Sequence, residues 1–171
     1  GKQKKLIYSD RGLPEQFNAI NFFDLGNTIG GNITAIKAYY NNLVVFRETA
    51  INIVRFSQNG YSFSTISTSI GTVSSKAITT IPRLGLTFVN EEGVWVLTGG
   101  LDGGSTIKIE KISKEIDLEW HSANKSALGS VIAAYSEAEK ELWIHYPYGY
   151  SKTPNKGVVL HLERGGLSWS F

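Results

Sequence analysis

The chain lacks cysteine and methionine, and it has only four prolines and three histidines among its 171 residues. Without cysteine it can form no disulfide, thiolate metal site or cysteine nucleophile. No apolar run approaches the roughly 18 residues that a membrane-spanning helix needs, so we expect no membrane span. Charged residues are scarce at 19%, and the only tight basic cluster is Lys2, Lys4 and Lys5. Specific nucleic-acid recognition requires Lys and Arg concentrated on one face, so this distribution argues against it.

The residues that are abundant are typical of strands joined by tight turns. The chain contains 18 glycines, eight phenylalanines and eight tyrosines, with Val, Ile and Thr in short alternating runs. From Asn32 onward, "NITAIKAYY", "LVVFRE", "INIVRFS" and "YSFSTIS" follow one another across turns of two or three residues. Alternation over such short runs indicates strands, and the short turns indicate antiparallel neighbours. The sequence therefore predicts an all-β protein built from antiparallel meanders.

The meander pattern recurs along the chain. Blade-like units are predicted at about 32–67, 76–110 and 129–171, a spacing of roughly 45 to 55 residues, which is the period of four-stranded propeller blades. An N-terminal strand at 5–9 is expected to complete a blade. About three blades are too few for a closed propeller, which uses about four to eight. We therefore expect one partial or open β-propeller domain, or a fragment of a longer propeller protein.

One segment departs from the strand pattern. Ile109, Ile112, Ile116 and Trp120 are spaced by three and four residues, which places them on one helical face. The sequence predicts a strand at 106–110 that runs into one short helix near 109–121, packed across the edge of a sheet.

Two short stretches partly match catalytic motifs. "GTVSSKAITT" (71–80) has a glycine, hydroxyl residues and Lys76, as phosphate loops do, but no second glycine precedes the lysine and a β-rich run follows it. We interpret it as a connector between strands. Ser122 and Lys125 have the Ser-x-x-Lys spacing of serine acylases, but the supporting motifs of those enzymes are absent. A solvated helix end explains that pair better.

Metal and carboxylate sites are also weakly indicated. His121, His145 and His161 have no recognised ligand spacing. "GGLDGGS" (99–105) has one carboxylate, where calcium usually takes several oxygen ligands. Six carboxylates fall in predicted turns, where no pair can be nominated: Asp10, Glu15, Glu48, Glu91, Glu92 and Asp102. We therefore assign no catalytic, cofactor-binding or metal-binding residue, and we expect neither a cofactor nor enzymatic activity.

The most distinctive surface feature is the long loop "HYPYGYSKTPN" (145–155). It carries the candidate binding residues Tyr146, Tyr148, Tyr150 and Lys152. Tyrosines of this kind stack on sugars or anchor protein interfaces, and a long loop among tight turns is often functional. The alternative is that these aromatic side chains are buried against a neighbouring blade, and the sequence does not separate the two.

The order of the motifs resembles a known family. "IYSDRGLPEQF", "GGNITAIKAYYNNLVVFRETAINIVRF" and "IGTVSSKAITTIPRLGLTFVNEEGVWVLTGG" follow one another along the first hundred residues. This succession resembles a β-propeller of tailed-bacteriophage virion proteins, in particular tail-nozzle (tubular tail) proteins and packaged-DNA stabilisation proteins. Members of that family are much longer chains in which the propeller is one portion. The matching positions are Ser9-Asp10, Pro14-Glu15, Leu43 to Glu48, Ile70 to Ile78, and Glu92-Gly93-Val94.

The resemblance implies a non-enzymatic structural component of a phage tail or head-to-tail assembly. Such a protein is made in the bacterial cytoplasm and ends in the virion, where it serves DNA ejection by assembling around the DNA exit route. The implied partners are other phage structural proteins and further copies of the chain, with DNA near it but not specifically recognised. The alternative function is a carbohydrate- or receptor-binding propeller module that uses its aromatic loops.

Overall fold

A computed structural model describes residues 5–10, 12–25, 30–57, 60–99, 106–163 and 166–171 of the chain. Within them the protein is mostly β, with four antiparallel sheets and one short α-helix. The all-β prediction is therefore confirmed. None of the described helices is long and apolar enough to cross a membrane.

Each of the three larger sheets is a four-stranded antiparallel meander. The N-terminal sheet consists of β1 (Lys5–Ile7) and β2 (Phe22–Asp24). The first sheet consists of β3 (Ile33–Tyr39), β4 (Asn42–Arg47), β5 (Ile51–Ser57) and β6 (Gly60–Ser67). The second consists of β7 (Ile78–Ile81), β8 (Gly85–Asn90), β9 (Gly93–Thr98) and β10 (Lys108–Lys111). The third consists of β11 (Ile132–Ser136), β12 (Glu141–Tyr146), β13 (Lys156–Glu163) and β14 (Gly166–Ser170). These sheets span residues 33–67, 78–111 and 132–170. The units predicted from the sequence were 32–67, 76–110 and 129–171.

The strand sequences explain which faces are buried. In β12, Leu142, Ile144 and Tyr146 are fully buried, whereas Trp143 and His145 between them are exposed. Alternate side chains of a strand point to opposite faces, so this sheet has one buried and one open face. All six residues of β8, "GLTFVN", are buried, which places that strand between two packed layers.

The sheets are stacked face to face. Phe46 and Ile51 of the first sheet pack with Phe88 and Leu97 of the second in one cluster. The opposite face of the second sheet forms another cluster with the third sheet, which includes Val94 and Ile144. The first strands of the sheets are neighbours: β11 contacts β7, and both β3 and β11 contact the short 3₁₀ helix Ser75–Ala77.

The N-terminal sheet covers the remaining face of the first sheet. Leu6 and Phe23 pack on a cluster that contains Val45 and Val54. The strand β1 (Lys5–Ile7) covers only the first part of the strand predicted at 5–9, and it pairs with β2. That this segment completes a blade stays a prediction. Of the basic cluster found in the sequence, Lys2 and Lys4 lie outside the described residues.

The helix is shorter than its periodicity predicted. The described α-helix is α1 (Asp117–His121), which follows a 3₁₀ helix at Lys114–Ile116. Ile109 instead lies in β10, where it pairs with Leu97 of β9. The Ile112 amide donates to the Val94 carbonyl, also in β9, at 2.9 Å. Extended pairing with β9 therefore prevails over the helical spacing in that half of the segment. Ile116 and Trp120 are buried, at 3% and 2% exposed.

Candidate ligand and assembly surfaces

The four candidate binding residues do not share one environment. Tyr146 lies in β12 with its side chain fully buried, and its ring centroid is 4.8 Å from that of Trp120. For this residue the structure favours the buried alternative. Burial raises the pKa of Tyr146 to about 12, with a smaller contribution from the Glu119 charge. Tyr150, in contrast, is fully exposed, and Lys152 is exposed beside it.

The loop at 147–155 is held firmly against the segment that follows α1. The Asn124 amide donates to the Pro147 carbonyl at 2.8 Å, and the Gly149 amide donates to the Ser122 carbonyl at 2.9 Å. Asn124 Nδ2 also donates to the Ser151 carbonyl at 2.8 Å. The loop therefore presents Tyr150 from a backbone that is anchored at several points.

Residues that the sequence did not single out complete this surface. The Lys156 ammonium lies 4.3 Å from the centroid of the half-buried Tyr148 ring and 5.9 Å from that of Phe171. Lys156 also forms an ion pair with Glu119 of α1. We call Glu119, Tyr148, Tyr150, Lys156 and Phe171 the tyrosine patch. Only the fold brings α1, the loop and the last residue together, so no local sequence signal would have found it.

The stretch "GTVSSKAITT" connects the first and second sheets, as predicted. The Thr72 amide donates to the Arg47 carbonyl at 3.0 Å, and the Thr72 hydroxyl donates to the Val89 carbonyl at 2.7 Å. A side chain at Gly71 would collide with that Arg47 carbonyl, 2.1 Å from an ideal Cβ, so only glycine allows this approach. Lys76 is exposed within the 3₁₀ helix.

Lys125, which has the Ser-x-x-Lys spacing with Ser122, donates its hydrogen bonds to backbone carbonyls. Its ammonium donates to the Glu91 carbonyl at 2.5 Å and to the Trp120 carbonyl at 3.0 Å. Burial lowers the pKa of Lys125. It borders a cleft of about 480 Å³ that Glu48, Glu91 and Glu92 also line. The fold thus gathers carboxylates from turns of two sheets, which the sequence could not pair; Asp102 lies outside the described residues.

The three histidines are placed apart or are engaged in local contacts. His121 Nδ1 lies 2.5 Å from the Asp117 carbonyl within α1. His161 lies between Ser170 Oγ, at 2.7 Å from Nε2, and Glu141, at 3.0 Å from Nδ1. His145 stacks on Trp143. The described residues contain no group of three or more His, Asp or Glu side chains arranged to bind a metal. Residues 100–105 of "GGLDGGS" lie outside that part of the chain.

An aromatic cluster joins the N-terminal sheet to the outer strand of the first sheet. Tyr61 of β6 lies 5.0 Å from Tyr8, 6.4 Å from Phe23 and 5.3 Å from Phe56, measured between ring centroids. Phe23 also stacks on Phe63 at 5.6 Å. Such edge-on and offset contacts add stability beyond the burial of area. They attach β1 and β2 to the stack.

Both ends of the stack expose apolar side chains. On the outer face of the third sheet, Ile132 is 45% and Trp143 40% exposed. At the other end, Ile7 and Phe17 are each 59% exposed beside a groove of about 300 Å³. Comparison with protein-family models finds no family that matches the chain, and comparison with curated proteins finds no matching relative.

Proposed function

We infer that the chain is a non-enzymatic structural component of a phage tail or head-to-tail assembly, in which it acts through protein–protein contacts around the route of DNA exit. The observation that carries this proposal is the stack of three four-stranded meanders with apolar side chains exposed at both of its ends. A sheet face that is partly apolar and open is suited to burial against another protein surface.

The stack also supports a propeller arrangement. In a propeller, four-stranded meanders pack face to face with their first strands nearest the central axis. Here the sheets pack face to face, and β11 contacts β7 at their first strands. The N-terminal sheet lies where a preceding blade would lie, against the first sheet. The described residues contain three four-stranded sheets, and further blades are needed to close a ring.

The motifs on which the resemblance to phage propeller proteins rests lie at structural positions. In "LVVFRE", Val44 and Phe46 are fully buried and Arg47 is 3% exposed. In "IGTVSSKAI", the Thr72 amide donates to the Arg47 carbonyl of the first sheet, and Gly71 leaves room for this close approach. The resemblance therefore concerns the residues that set the stacking, which favours a structural role.

The direct test is to search for the chain in particles. Phage particles purified by density gradient from an induced culture of the strain that carries the gene should contain peptides of this chain, in several copies per particle. A host ribosomal protein measured in the same gradient serves as the control for contamination. If the chain stays with the control and is absent from the particle band, the proposal is wrong. Turnover of any substrate in a glycoside panel would contradict the non-enzymatic assignment.

The tyrosine patch favours a second function, the binding of a carbohydrate or receptor. Tyr150 is fully exposed on an anchored loop, and Tyr148 is engaged by a cation that also pairs with Glu119. Exposed aromatic rings beside charged groups suit the apolar face and hydroxyls of a sugar. Binding on a glycan array that is abolished by Tyr150→Ser and kept by Phe56→Ser, an exposed aromatic elsewhere, would support it. A blank array would argue against it.

A further inference from the structure

We propose that Ser170 is a reactive serine, which His161 and Glu141 activate so that it accepts an acyl group from an activated ester. The inference goes beyond the proposed assembly function and does not depend on it. The three side chains lie on the outer side of the third sheet and are joined by hydrogen bonds. We call Glu141, His161 and Ser170 the serine cluster.

The strand register brings the serine cluster together. Glu141 of β12 pairs directly with His161 of β13, and His161 pairs directly with Ser168 of β14. Directly paired residues of antiparallel strands point to the same side, and Ser170 follows Ser168 by two residues, so it points to that side too. Trp169 between them points inward, against the core that the second and third sheets share. Three neighbouring strands therefore contribute one residue each to the cluster.

The hydrogen bonds assign a role to each nitrogen of the His161 ring. Nδ1 lies 3.0 Å from Glu141 Oε1, and a carboxylate only accepts, so Nδ1 carries a proton. Nε2 of the neutral ring is then an acceptor, and Ser170 Oγ donates to it at 2.7 Å. A serine hydroxyl that donates to an imidazole, whose other nitrogen donates to a carboxylate, is the arrangement that activates serine nucleophiles. Both distances lie within the range of about 2.6–3.2 Å that this activation requires.

The serine cluster is partly exposed beside apolar side chains. The side chains of Glu141 and His161 are 20% and 30% exposed, so a reagent can reach them from solvent. Val159 pairs with both Trp143 and Ser170, which places these three residues in one row on the outer side of the sheet. Trp143 is 40% exposed, and its indole offers a surface on which an aromatic leaving group can lie.

The proposed reaction is a single acyl transfer. Ser170 Oγ attacks the carbonyl carbon of the ester and forms a new ester bond with it, while the bond from that carbon to the leaving oxygen breaks. The hydroxyl proton passes to His161 Nε2 and from there to the leaving oxygen. Glu141 is a positioning residue, because it holds the ring in the tautomer that can take this proton. Ser170 lies in the extended strand β14 and not on the sharp turn that presents the nucleophile of many hydrolases to backbone amides, so we expect one acyl group per chain and no turnover.

The test measures acetylation of Ser170 by p-nitrophenyl acetate in the folded chain, located by tandem mass spectrometry after digestion with trypsin. Cleavage after Arg164 releases "GGLSWSF", in which Ser168 and Ser170 carry the only hydroxyl groups. Ser168 is the matched internal control, because it is exposed and pairs with His161, yet the ring nitrogen contacts Ser170. Acetylation of the exposed Lys152 in the same digest verifies that the dose of reagent is equal between samples.

We expect Ser170 of the wild type to be acetylated at least about tenfold faster than Ser168, because a general base contributes about 10²–10⁴-fold. In urea the two serines should react alike. His161→Gln, which keeps a polar side chain at this position, should remove the preference and leave the rate at Ser168 unchanged. Glu141→Gln should lower the rate at Ser170, and Glu141→Asp should lower it less, since it keeps the carboxylate. A purely spatial role of Glu141 would give the reverse order, because glutamine has the same size.

Near-ultraviolet circular dichroism verifies that each variant is folded, and the comparison of the two serines within the wild type requires no variant. Equal rates at Ser168 and Ser170 in the folded wild type would overturn the inference. A folded His161→Gln that keeps the wild-type preference would also overturn it. Neither result affects the particle test of the proposed function.

Discussion

Arg47 is predicted to hold the N-terminal region onto the first sheet. Its side chain is 3% exposed, and its guanidinium donates only to backbone carbonyls among the described partners. Nε and Nη2 donate to the Gly31 carbonyl at 3.0 and 2.8 Å, and Nη1 donates to the Leu25 carbonyl at 2.8 Å. Leu25 directly follows β2, so this single side chain ties the end of the N-terminal sheet to β4.

The size of the effect follows from the two carbonyls that lose their donors. An unsatisfied buried acceptor costs about 1–3 kcal/mol, so the loss of the donors to two carbonyls in Arg47→Met should destabilise the protein by about 2–6 kcal/mol. For a chain of this size, 1 kcal/mol lowers the melting temperature by about 2–4 °C, so a 3 kcal/mol loss corresponds to a drop of about 6–12 °C. Arg47→Lys should lie in between, because a lysine lacks the planar fork that reaches both carbonyls.

Thermal and urea unfolding, followed by tryptophan fluorescence, would measure these differences. The matched control is Arg55→Met in β5, where the half-buried side chain donates to Ser64 Oγ at 3.1 Å and the expected loss is below about 1 kcal/mol. The opposing effect is the cost of removing a guanidinium from water, which methionine avoids. If Arg47→Met unfolds at the wild-type temperature or above it, that cost cancels the hydrogen bonds and our reasoning is refuted.

Three further predictions follow from buried polar groups. Thr87 is fully buried, and its hydroxyl has no hydrogen-bond partner among the described residues. Thr87→Val should therefore raise the free energy of unfolding, measured in urea, by about 1 kcal/mol. A lower free energy of unfolding would show that the hydroxyl has a partner. Asn90 Oδ1 accepts hydrogen bonds from the Glu92 and Gly93 amides and from Trp95 Nε1. Asn90→Ala should therefore lower the free energy of unfolding by about 2–3 kcal/mol, and Asn90→Asp, which keeps an acceptor oxygen, should lower it less. Equal decreases for the two variants would contradict this. Burial raises the pKa of Tyr146 to about 12, above the value near 10 of an unfolded chain. The unfolded state therefore loses this proton first, and stability should fall between about pH 10 and 12. Tyr146→Phe should be near neutral at pH 7 and should lessen that fall, and an unchanged alkaline transition would argue against the assignment.

The meanders could be predicted from the sequence because their signals are local. Strand alternation and turn residues act between neighbours along the chain, as in "ELWIHY" and in the turn that Asn90 closes. The connector was also predictable, since Lys76 is followed by a β-rich run rather than by a helix. The predicted helix was too long. Ile109 and Ile112 have helical spacing in the sequence, but they pair with β9, and the spacing carries no information about that contact.

The sequence by itself determined the all-β class, the meander order and the exposed, hydrogen-bonded turns, because each depends on residues close together in the chain. Only the tertiary structure decided that Tyr146 is buried while Tyr150 is fully exposed, and that Arg47 reaches Gly31 and Leu25. It also placed Glu48 and Glu91 at one cleft and left apolar side chains exposed at both ends of the stack. These features depend on how whole sheets stack on one another, and side chains far apart in sequence meet only after that stacking is complete.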